Sequence, residues 1–419
     1  MQIKSIEARP GWESRVVELG LTYIDNDGSP YWTEDRYVEF AQSQIEVIEA
    51  ATLELHHLCL NAINQIIERD WLDRMRVPTH MQELITASWK RFDPYIFGRF
   101  DLAYDGVNPP KMLEYNADTP AGTIEGAVIQ WDWVEQNRAR GLLSQDADHF
   151  NGIDEAMINA WRRAIPRIRA HEPVWFATKD GDCEAEQNLR YMVEMAQQAG
   201  LRTHICDIRQ VGFDKRMDWF CDPAGLPIRT LFKLYEWEAM ARDEFGQLIG
   251  RTDTCFLEPV WKMLLSNKAL LPILWELHPD HPNLLPAFFD EAPLAGQPRV
   301  GKPIFSMEGE NIQIIQPGLD GDVVTQSEGG YGEEGHIWQA YSELPSFDGQ
   351  HMVIGSWISA ANPRYEGLPQ HPRGGDPCGI TVRTHPGLIT GYLSRVMPHV
   401  FIPDPENEPV RIPDEAYVP

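Results

Sequence analysis

Hydrophobic and polar positions follow distinct patterns in four parts of the chain. From Arg36 to Asp70, apolar residues recur at helical spacing between charged positions, which predicts one long amphipathic helix. Residues 173–207 contain a strand (VWFAT), a helix from Glu184 to Ala199 and a second strand (THICD), the order of a βαβ unit. Residues 99–116 and 299–315 each hold two strand-like runs around a turn. These patterns predict a mixed α/β (α+β) fold.

The second half of the chain carries further predicted elements. Residues 256–277 are strongly apolar and predict helix, interrupted at Pro272 because a proline ring removes a backbone donor. Residues 278–298 are rich in Pro, Ala and Asp, and are expected to separate substructures. The stretches 349–360 and 378–390 resemble β-strands.

Length and charge narrow the classes of function. A chain of 419 residues predicts two or three lobes. Its 36 Lys and Arg against 63 Asp and Glu give a net charge of −27, which repels nucleic acids and anionic membrane surfaces. Its six cysteines show no paired spacing, and the chain has neither a signal-peptide pattern nor an apolar run of roughly 18 residues. We therefore expect a cytoplasmic protein that binds neither nucleic acids nor membrane surfaces.

The predicted hairpin at residues 99–116 has a crowded polar face. Because side chains alternate along a strand, each strand has a polar and an apolar side. The polar positions are Arg99, Asp101, Glu114 and Asn116, with Met112 on the same side as Glu114. The positions expected to face the core are Phe100, Leu102, Leu113 and Tyr115. Pairing would bring Asp101 near Asn116 or Glu114, depending on register. Two carboxylates and an amide suit Mg²⁺, although a solvated hairpin face is the alternative.

A magnesium–nucleotide site would also need cations for the phosphates. Lys268 and Lys302 each lie in mostly apolar sequence, but a lone lysine there is commonly a surface residue with a buried stem. The turn SMEGEN (306–311) follows Lys302 and offers backbone N–H groups that phosphates could use.

Taken in order, seven segments resemble the synthetase domain of the glutathionylspermidine synthase family, which are ATP-grasp carboxylate–amine ligases. The segments are RFD (99–101), LEYNADTP (113–120), SNKALLPILW (266–275), GKPIFSMEGENI (301–312), IWQAY (337–341), VIGSWI (353–358), and GITVRT with LITG (379–384 and 388–391). The resemblance spans nearly the whole chain. It implies an ATP-grasp-type ligase fold with a pre-ATP-grasp-like βαβ substructure.

The resemblance also implies a division into four parts. Residues 1–165 would hold an N-terminal helical segment and the metal-binding hairpin of the core, and 166–255 the βαβ substrate-side domain. Residues 256–335 would form the ATP-grasp lid, and 336–419 the rest of the core. An N-terminal amidase domain, present in bifunctional members, is not expected.

The resemblance further implies roles for individual residues. The magnesium ligands would be Asp101, Glu114 and Asn116, holding two ions. The ATP-binding residues would be Arg99, Phe100, Asp101, Lys268, Lys302, Glu308, Gly309, Gln339, Ala340, Tyr341, Leu388, Ile389 and Thr390, with 339–341 as the adenine hinge and 388–390 as a strand along ATP. Arg99 and Arg383 would act in catalysis, and Thr119 would lie near the carboxylate substrate.

The implied reaction is phosphorylation of a carboxylate by ATP, followed by attack of an amine on the acyl phosphate. The acid would be peptide-like and the amine polyamine-like, drawn by Glu184, Glu186 or Glu236, with the loops KDGDCEAE and NPRYEGLPQHPRGG forming the acceptor pockets. Met307 stands where the family pattern commonly has an arginine. A nucleotide-binding sensor or scaffold, or an ATPase without an amine acceptor, therefore remains an alternative.

Overall fold

The computed structural model describes residues 1–26, 28–318, 322–360, 374–391 and 393–404. The α-helices in these ranges are Trp12–Glu18, Gln42–Glu68, Thr79–Arg91, Gln130–Ala139, Ile153–Ala164, Cys183–Gln198, Trp237–Arg242, Met263–Ser266 and Leu270–Leu277. A π-helical turn, Glu125–Ile129, leads into the helix Gln130–Ala139. Within the described residues, no helix has the length and hydropathy that crossing a membrane requires.

Three sheets organise the molecule. The central sheet is antiparallel, in the order Arg395–Met397, Asp376–His385, Gln350–Ser359, Phe97–Ala103 and Lys111–Asn116, with Ser346–Phe347 also paired to Gln350–Ser359. The five-stranded sheet is antiparallel, in the order Ala287–Phe288, His336–Ala340, Arg299–Pro303, Gln313–Gln316 and Val323–Gln326. The parallel sheet has the order Cys255–Leu257, Thr230–Leu234, Val174–Thr178 and Thr203–Asp207.

Smaller strand groups complete the fold. Arg36–Ala41 lies between Gln2–Ser5 and His399–Ile402. The two-stranded pairs are Asp25–Asn26 with Ser29–Pro30, and Gly212–Asp214 with Trp219–Cys221.

The predicted helix from Arg36 to Asp70 is wrong at its start. Residues 36–41 form a strand, because its two neighbouring strands satisfy its backbone groups, and such pairing overrides local helical spacing. The helix Gln42–Glu68 then packs its apolar face on the central sheet. Its His56 is fully buried, with Nδ1 3.2 Å from the Tyr115 hydroxyl and Nε2 3.1 Å from the Tyr95 hydroxyl. His56 is therefore a core histidine.

The predicted βαβ unit is confirmed. Val174–Thr178 pairs in parallel with Thr203–Asp207, and the helix Cys183–Gln198 connects them. The Asp182 carboxylate accepts a hydrogen bond of 3.0 Å from the Ala185 N–H, which caps this helix.

The apolar stretch 256–277 is less helical than predicted, and its break lies elsewhere. Cys255–Leu257 is a strand, and the helix Met263–Ser266 stops before Asn267. Pro272 lies in the first turn of Leu270–Leu277, where a missing backbone donor costs nothing. The Asn267 side chain donates to the Met75 carbonyl at 2.6 Å and accepts from the Ala269 N–H at 2.8 Å. Because the chain leaves the helix at Asn267, the next residue, Lys268, lies between the two helices and lines the cavity described below.

A buried ion pair joins the parallel sheet to the central sheet. The Glu258 carboxylate lies 2.8 Å from Lys262 Nζ and accepts a hydrogen bond of 2.9 Å from the Ile96 N–H. The same ammonium donates to the Phe97 carbonyl, at the start of a central strand. Glu258 and Lys262 are both fully buried. Removing either partner would leave an uncompensated buried charge, at a cost of about 3–5 kcal/mol.

The division of the chain into four parts stays a prediction. The five-stranded sheet includes His336–Ala340, and so it continues past the proposed boundary at residue 335.

Candidate active site

The predicted polar hairpin exists, and its register explains which side chains meet. Asp101 pairs with Glu114, and Arg99 pairs with Asn116, so their four side chains share one face. The register then shifts between Asp101 and Leu102.

This shift corrects two sequence predictions. Leu102 pairs with Met112, which leaves Leu113 as an extra residue, as in a β-bulge. Met112 is therefore buried in the core, whereas Leu113 lines the cavity next to the hairpin. Strict alternation assigned these two residues to the opposite sides.

The charged groups of this face contact one another directly. Arg99 Nε donates to Asp101 Oδ1 at 2.8 Å, and Arg383 Nη2 donates to Asp101 Oδ2. Asn116 Nδ2 lies between the two carboxylates, 3.0 Å from Asp101 Oδ2 and 3.1 Å from Glu114 Oε1. The central sheet thus brings together residues nearly three hundred positions apart, in an arrangement dominated by charge-assisted hydrogen bonds.

Lys268 and Lys302 are buried in this cluster and are not surface lysines. Lys268 Nζ lies 3.1 Å from Glu114 Oε2 and donates to the Ser306 carbonyl at 2.7 Å. Lys302 Nζ donates to the Leu113 carbonyl at 2.8 Å, which the bulge exposes. Burial alone would raise the pKa of Glu114, but the two lysines outweigh it and hold that pKa well below its ordinary value. Burial lowers the pKa of Lys302 to about 8.

A first cavity of about 270 Å³ opens over these groups. The predicted site residues that line it are Arg99, Asp101, Glu114, Asn116, Thr119, Lys268, Lys302, Glu308, Gly309, Gln339, Ala340, Tyr341, Arg383, Leu388, Ile389 and Thr390. Phe100 does not line it. Its ring is fully buried and stacks on Tyr115 with centroids 3.8 Å apart, so the assignment of Phe100 to ATP is corrected to a core role.

Segments 339–341 and 388–390 differ from the prediction in detail. The Ala340 and Tyr341 N–H groups already donate to the carbonyls of Pro286 and Pro298, at 2.8 Å and 3.1 Å. These two amides are therefore engaged within the protein. Residues 388–390 are irregular and not a strand, because the strand Asp376–His385 ends before them.

Several other residues line this cavity that the sequence had not assigned to it. Apolar side chains form one wall: Val300, Ile312, Ile314, Leu344 and Val353. Tyr31, Glu184 and Met307 also line the cavity. Alternation within IQII could have indicated Ile312 and Ile314, but nothing near Tyr31 in the sequence links it to this site.

The loop 306–311 lies against residues 388–391. Glu308 and Gly309 have positive φ angles of 50° and 71°, and a Cβ atom on Gly309 would collide with the Thr390 carbonyl. Only glycine allows so close an approach. Ser306 Oγ in this loop and Arg383 Nε on the strand Asp376–His385 are buried polar atoms that have no hydrogen-bond partner among the described residues. Unpaired buried donors of this kind fit the phosphate oxygens of a nucleotide.

A second cavity, of about 250 Å³, adjoins the first at Thr119, Pro120, Ala121, Glu184, Met307 and Glu308. It lies at the carboxyl ends of Val174–Thr178 and Thr230–Leu234, where open α/β sheets bind ligands. The carboxylates lining it are Asp182, Glu184, Glu236, Glu308 and Glu310, and Lys179 is the cation among its lining residues.

Contacts in the second cavity involve several predicted residues. Thr119 Oγ1 donates to Glu236 Oε1 at 3.3 Å. Burial, followed by the charges of Glu308 and Asp182, raises the pKa of Glu184. Glu186, the other acidic candidate, does not line the cavity, and its carboxylate instead accepts from the Gly181 N–H at 2.8 Å. Most of the second predicted acceptor loop, 362–375, lies outside the described residues.

The hairpin offers side-chain oxygen atoms, which are the ligands that a hard cation such as Mg²⁺ prefers. The carboxylates of Asp101 and Glu114 face each other across the strand pair, and Asn116 is hydrogen-bonded to both. Among the residues that the structure describes, no group of three or more His, Cys, Asp and Glu side chains is arranged for a metal. A magnesium ion here would therefore take oxygen ligands from phosphates as well, as Mg²⁺ commonly does.

Comparisons with known proteins agree with this geometry. The family model described as "Glutathionylspermidine synthase preATP-grasp" matches residues 3–402. The "Putative acid--amine ligase" of Haemophilus influenzae is 35% identical over 412 residues, covering 96% of this chain and 100% of that protein. The Crithidia fasciculata trypanothione synthetase is 29% identical over 336 residues, covering 73% of this chain and 49% of that protein.

Two further similarities concern a longer relative and a solved structure. The bifunctional glutathionylspermidine synthetase/amidase of Escherichia coli K12 is 26% identical over 388 residues, covering 86% of this chain and 59% of that protein. The chain thus spans between half and three fifths of the two longer relatives. The apo structure of a glutathione synthetase-like effector from Globodera pallida aligns with a TM-score of 0.53 at 9% identity, over 87% of this chain and 89% of that one. This last similarity concerns the fold alone.

Proposed function

Since the chain belongs to the glutathionylspermidine synthase family of acid–amine ligases, we propose that it joins a carboxylate to an amine through an acyl phosphate made from ATP. The family and the mixed α/β, ATP-grasp-type fold agree with the sequence prediction. The acid, the amine and the role of each residue are proposals that rest on the geometry of the two cavities.

The observation that carries the proposal is the junction of a cavity that holds a cluster of cationic side chains with a cavity that is mostly acidic. The first cavity presents four cationic side chains, namely Arg99, Lys268, Lys302 and Arg383. Its four carboxylates are Asp101 and Glu114 on the hairpin, and Glu184 and Glu308 at the wall that it shares with the second cavity. The second presents five carboxylates and one lysine. A ligase of this type needs a cationic region for phosphates next to a region that accepts an amine, and the shared wall at residues 119–121 separates these regions.

The first cavity suits phosphoryl transfer. Lys268 and Lys302 would bind the phosphates of ATP, and Arg383 Nε would donate to their oxygens. Asp101, Glu114 and Asn116 would hold magnesium. We propose two ions, and the magnesium titration described below tests for the second. Bound there, Mg²⁺ would neutralise charge on the transferring phosphoryl group.

The carboxylate substrate would lie near Thr119, where the two cavities meet. Its oxygen would attack the γ-phosphorus, and the amine would then attack the acyl carbon. Arg99 and Arg383 are permanently charged and fork-shaped, so they suit the oxyanion that develops at this carbon. Phosphate would leave with the electron pair of the C–O bond, and no covalent enzyme nucleophile is needed.

The second cavity suits a cationic amine. Its carboxylates would attract an alkylammonium group by charge, and burial strengthens such attraction because less water screens it. The names of the relatives pair glutathione with spermidine, and we propose a peptide-like acid and a polyamine-like amine here.

The test uses hydroxylamine as a general acceptor. Purified protein with ATP, MgCl₂, a panel of carboxylates and hydroxylamine is expected to yield ADP and an acyl hydroxamate. Glu114→Gln should yield neither, whereas Glu194→Gln, an exposed carboxylate that lines neither cavity, should behave as wild type. Titrating Mg²⁺ above the ATP concentration tests for a second ion, because activity should rise further only if a free ion also binds.

Other outcomes would favour the alternatives. ATP binding without turnover across the acid panel would indicate a nucleotide-binding sensor or scaffold. Phosphate release that no acid and no amine accelerates would indicate an ATPase.

A further inference from the structure

A buried carboxylate without a role in the chemistry above lies behind the junction of the two cavities. Glu125 begins the π-helical turn Glu125–Ile129 and is fully buried. Such turns inside helices frequently mark functional sites. Glu125 Oε1 accepts a hydrogen bond of 3.1 Å from Gln187 Nε2, whereas Oε2 makes no hydrogen bond of normal geometry among the described residues. The hydroxyl of Tyr31 is close enough to act on this carboxylate as a weak donor. A buried unpaired oxygen is costly, and its retention calls for a functional reason.

This unpaired oxygen is directed at the wall of the first cavity. A Cβ atom placed on Gly122, a lining residue, would lie 4.0 Å from Glu125 Oε2. The Tyr31 hydroxyl, which also belongs to the lining, donates to Glu184 Oε1 at 3.4 Å and interacts with Glu125 as well. Glu184 itself lines both cavities. A line of polar groups therefore leads from the acidic cavity through Tyr31 to Glu125.

The surroundings of Glu125 favour its protonated form at pH values near neutrality. Burial, followed by the charge of Glu184, raises the pKa of Glu125 to about 7, and this rise is opposed by a backbone hydrogen bond, by the hydroxyl of Tyr31 and by the charge of Arg99, in that order. Burial and the charges of Glu125 and Glu184 raise the pKa of Tyr31 well above its ordinary value, against the effect of Arg383. The Tyr31 hydroxyl thus keeps its proton at neutral pH and can pass one between the two carboxylates.

The surroundings of Glu184 act in the same direction. Burial, then Glu308 and Asp182, raise the pKa of Glu184, while Arg99 and Arg383 lower it. The charge of Glu184 acts on Glu125, and carboxylates that interact strongly titrate as a pair and share a proton over a range of pH. A proton acceptor whose affinity lies near the working pH is the most effective in catalysis.

We propose that Glu184, Tyr31 and Glu125 form the proton acceptor for the incoming amine, with Glu184 contacting the ammonium and Glu125 storing the proton. This proposal rests on the proposed ligase function. Glu184 would be the catalytic base, and Tyr31 and Glu125 act through it as positioning residues.

The hydroxyl of Tyr31 would first turn its hydrogen from Glu184 toward Glu125 Oε2. The Glu184 carboxylate would then remove one proton from the ammonium and pass it to the Tyr31 oxygen, while the original Tyr31 proton moves to Glu125 Oε2. The freed nitrogen lone pair forms the C–N bond, and the C–O bond to phosphate breaks. The departing phosphate takes the electron pair of that bond and the second nitrogen proton, so that amide and hydrogen phosphate result.

The experiment compares an acceptor that must lose a proton before it attacks with one that need not. Ammonium chloride and 1,4-diaminobutane are cationic at neutral pH, whereas hydroxylamine is neutral. Glu125→Gln keeps the size and the hydrogen bond to Gln187, but it cannot store a proton. With the acid that gives hydroxamate in wild type, Glu125→Gln should lower kcat for the cationic amines about 100-fold and leave hydroxamate formation within about twofold.

The dependence of kcat on pH distinguishes a role in proton transfer from a structural role, because a purely structural change would not shift it. Wild-type kcat with the cationic amines should fall on the acidic side of neutrality, and this limb should move to lower pH in Glu125→Gln. Tyr31→Phe should show the same loss with the cationic amines and the same retention of hydroxamate. Glu194→Gln, an exposed site on the helix of Glu184, should match wild type.

Each contrary result is informative. Equal loss with all acceptors in Glu125→Gln would assign Glu125 to structure, and no loss with any acceptor would show that it takes no part. A wild-type enzyme that makes hydroxamate but no amide from either cationic amine would overturn this inference and leave the ligase function standing. No hydroxamate from wild type would instead count against the ligase function itself.

Discussion

The two cavities share a wall but differ in charge, and the difference is visible in two glutamates, the half-buried Glu114 and the fully buried Glu125. Glu114 lies under the first cavity beside Lys268 and Lys302, which hold its pKa low. Glu125 lies behind the junction of the two cavities, where burial and the charge of Glu184 raise its pKa. The same side chain therefore exists as a carboxylate in one place and as a proton store in the other, because the neighbouring charges have opposite sign.

This comparison explains how one molecule can serve two substrates of opposite charge. Cationic side chains in the first cavity would neutralise the phosphates of ATP, and two of them, Lys268 and Lys302, hold the pKa of Glu114 low. The second cavity leaves its carboxylates largely uncompensated, so a positively charged amine would relieve their repulsion. Substitutions that change one cavity at a time should therefore have separable effects.

The largest effect is expected from the hairpin carboxylates. Replacing Asp101 or Glu114 with alanine should lower Mg²⁺-dependent ATP turnover by about 10³-fold or more, because the phosphoryl charge loses its neutralising centre. Steady-state ADP formation measures this loss, and circular dichroism should show an unchanged fold. Turnover that survived either substitution would contradict the metal assignment.

The next largest effect concerns stability and pH. The pKa of Glu125 is raised from an ordinary 4.5 to about 7, so its stabilising contribution is complete below pH 4.5 and is lost as pH rises through 7. The free energy of unfolding should thus fall by about 3 kcal/mol across that interval on account of Glu125. Urea unfolding of the ligand-free protein at several pH values should show a flatter profile for Glu125→Gln.

The opposite sign is expected for the glutamate of the first cavity. Because the pKa of Glu114 is lowered, its contribution is present above the ordinary carboxyl pKa and is lost as pH falls through the lowered value. Glu114→Gln should therefore have a lower free energy of unfolding than wild type at neutral pH. On acidification, its free energy of unfolding should fall by less than that of wild type. If both substitutions changed the pH dependence of the free energy of unfolding in the same direction, the predicted contrast between the two glutamates would be wrong.

A moderate effect is expected in the acidic cavity. Glu236→Gln removes one charge next to Thr119 while keeping the shape of the side chain. The KM for a cationic amine should rise about tenfold, which corresponds to one charge-assisted contact, and hydroxamate formation should change little. Steady-state kinetics with both acceptors separates the two effects, and a rise in the KM for ATP would contradict the assignment to the amine side.

The smallest effect is expected at the boundary between the cavities. Met307 lines both cavities and is 37% exposed, so an arginine there would add a partly screened charge. Met307→Arg should lower the KM for ATP and raise the KM for a cationic amine, each by about threefold. Met307→Leu serves as the uncharged control. Movement of both constants in the same direction would argue against a boundary position.

The sequence by itself determined the family, the βαβ unit, the two hairpins and most of the cavity lining. These features depend on local alternation and on short motifs, which stay readable without long-range contacts. Alternation in RFDLA and LEYN placed Asp101 and Glu114 on the correct face because their pairing lies on the regular side of the bulge.

Only the tertiary structure decided the features that depend on contacts between distant segments. The bulge that exchanges Met112 and Leu113, the break that presents Lys268 and the strand at residues 36–41 all follow from partners far along the chain. Tyr31, Glu125 and Glu184 approach one another because separate elements pack around the cavities, and their pKa values follow from that burial. Local sequence carries no record of such neighbours, because burial and electrostatic interaction depend on distance in space and not on distance along the chain.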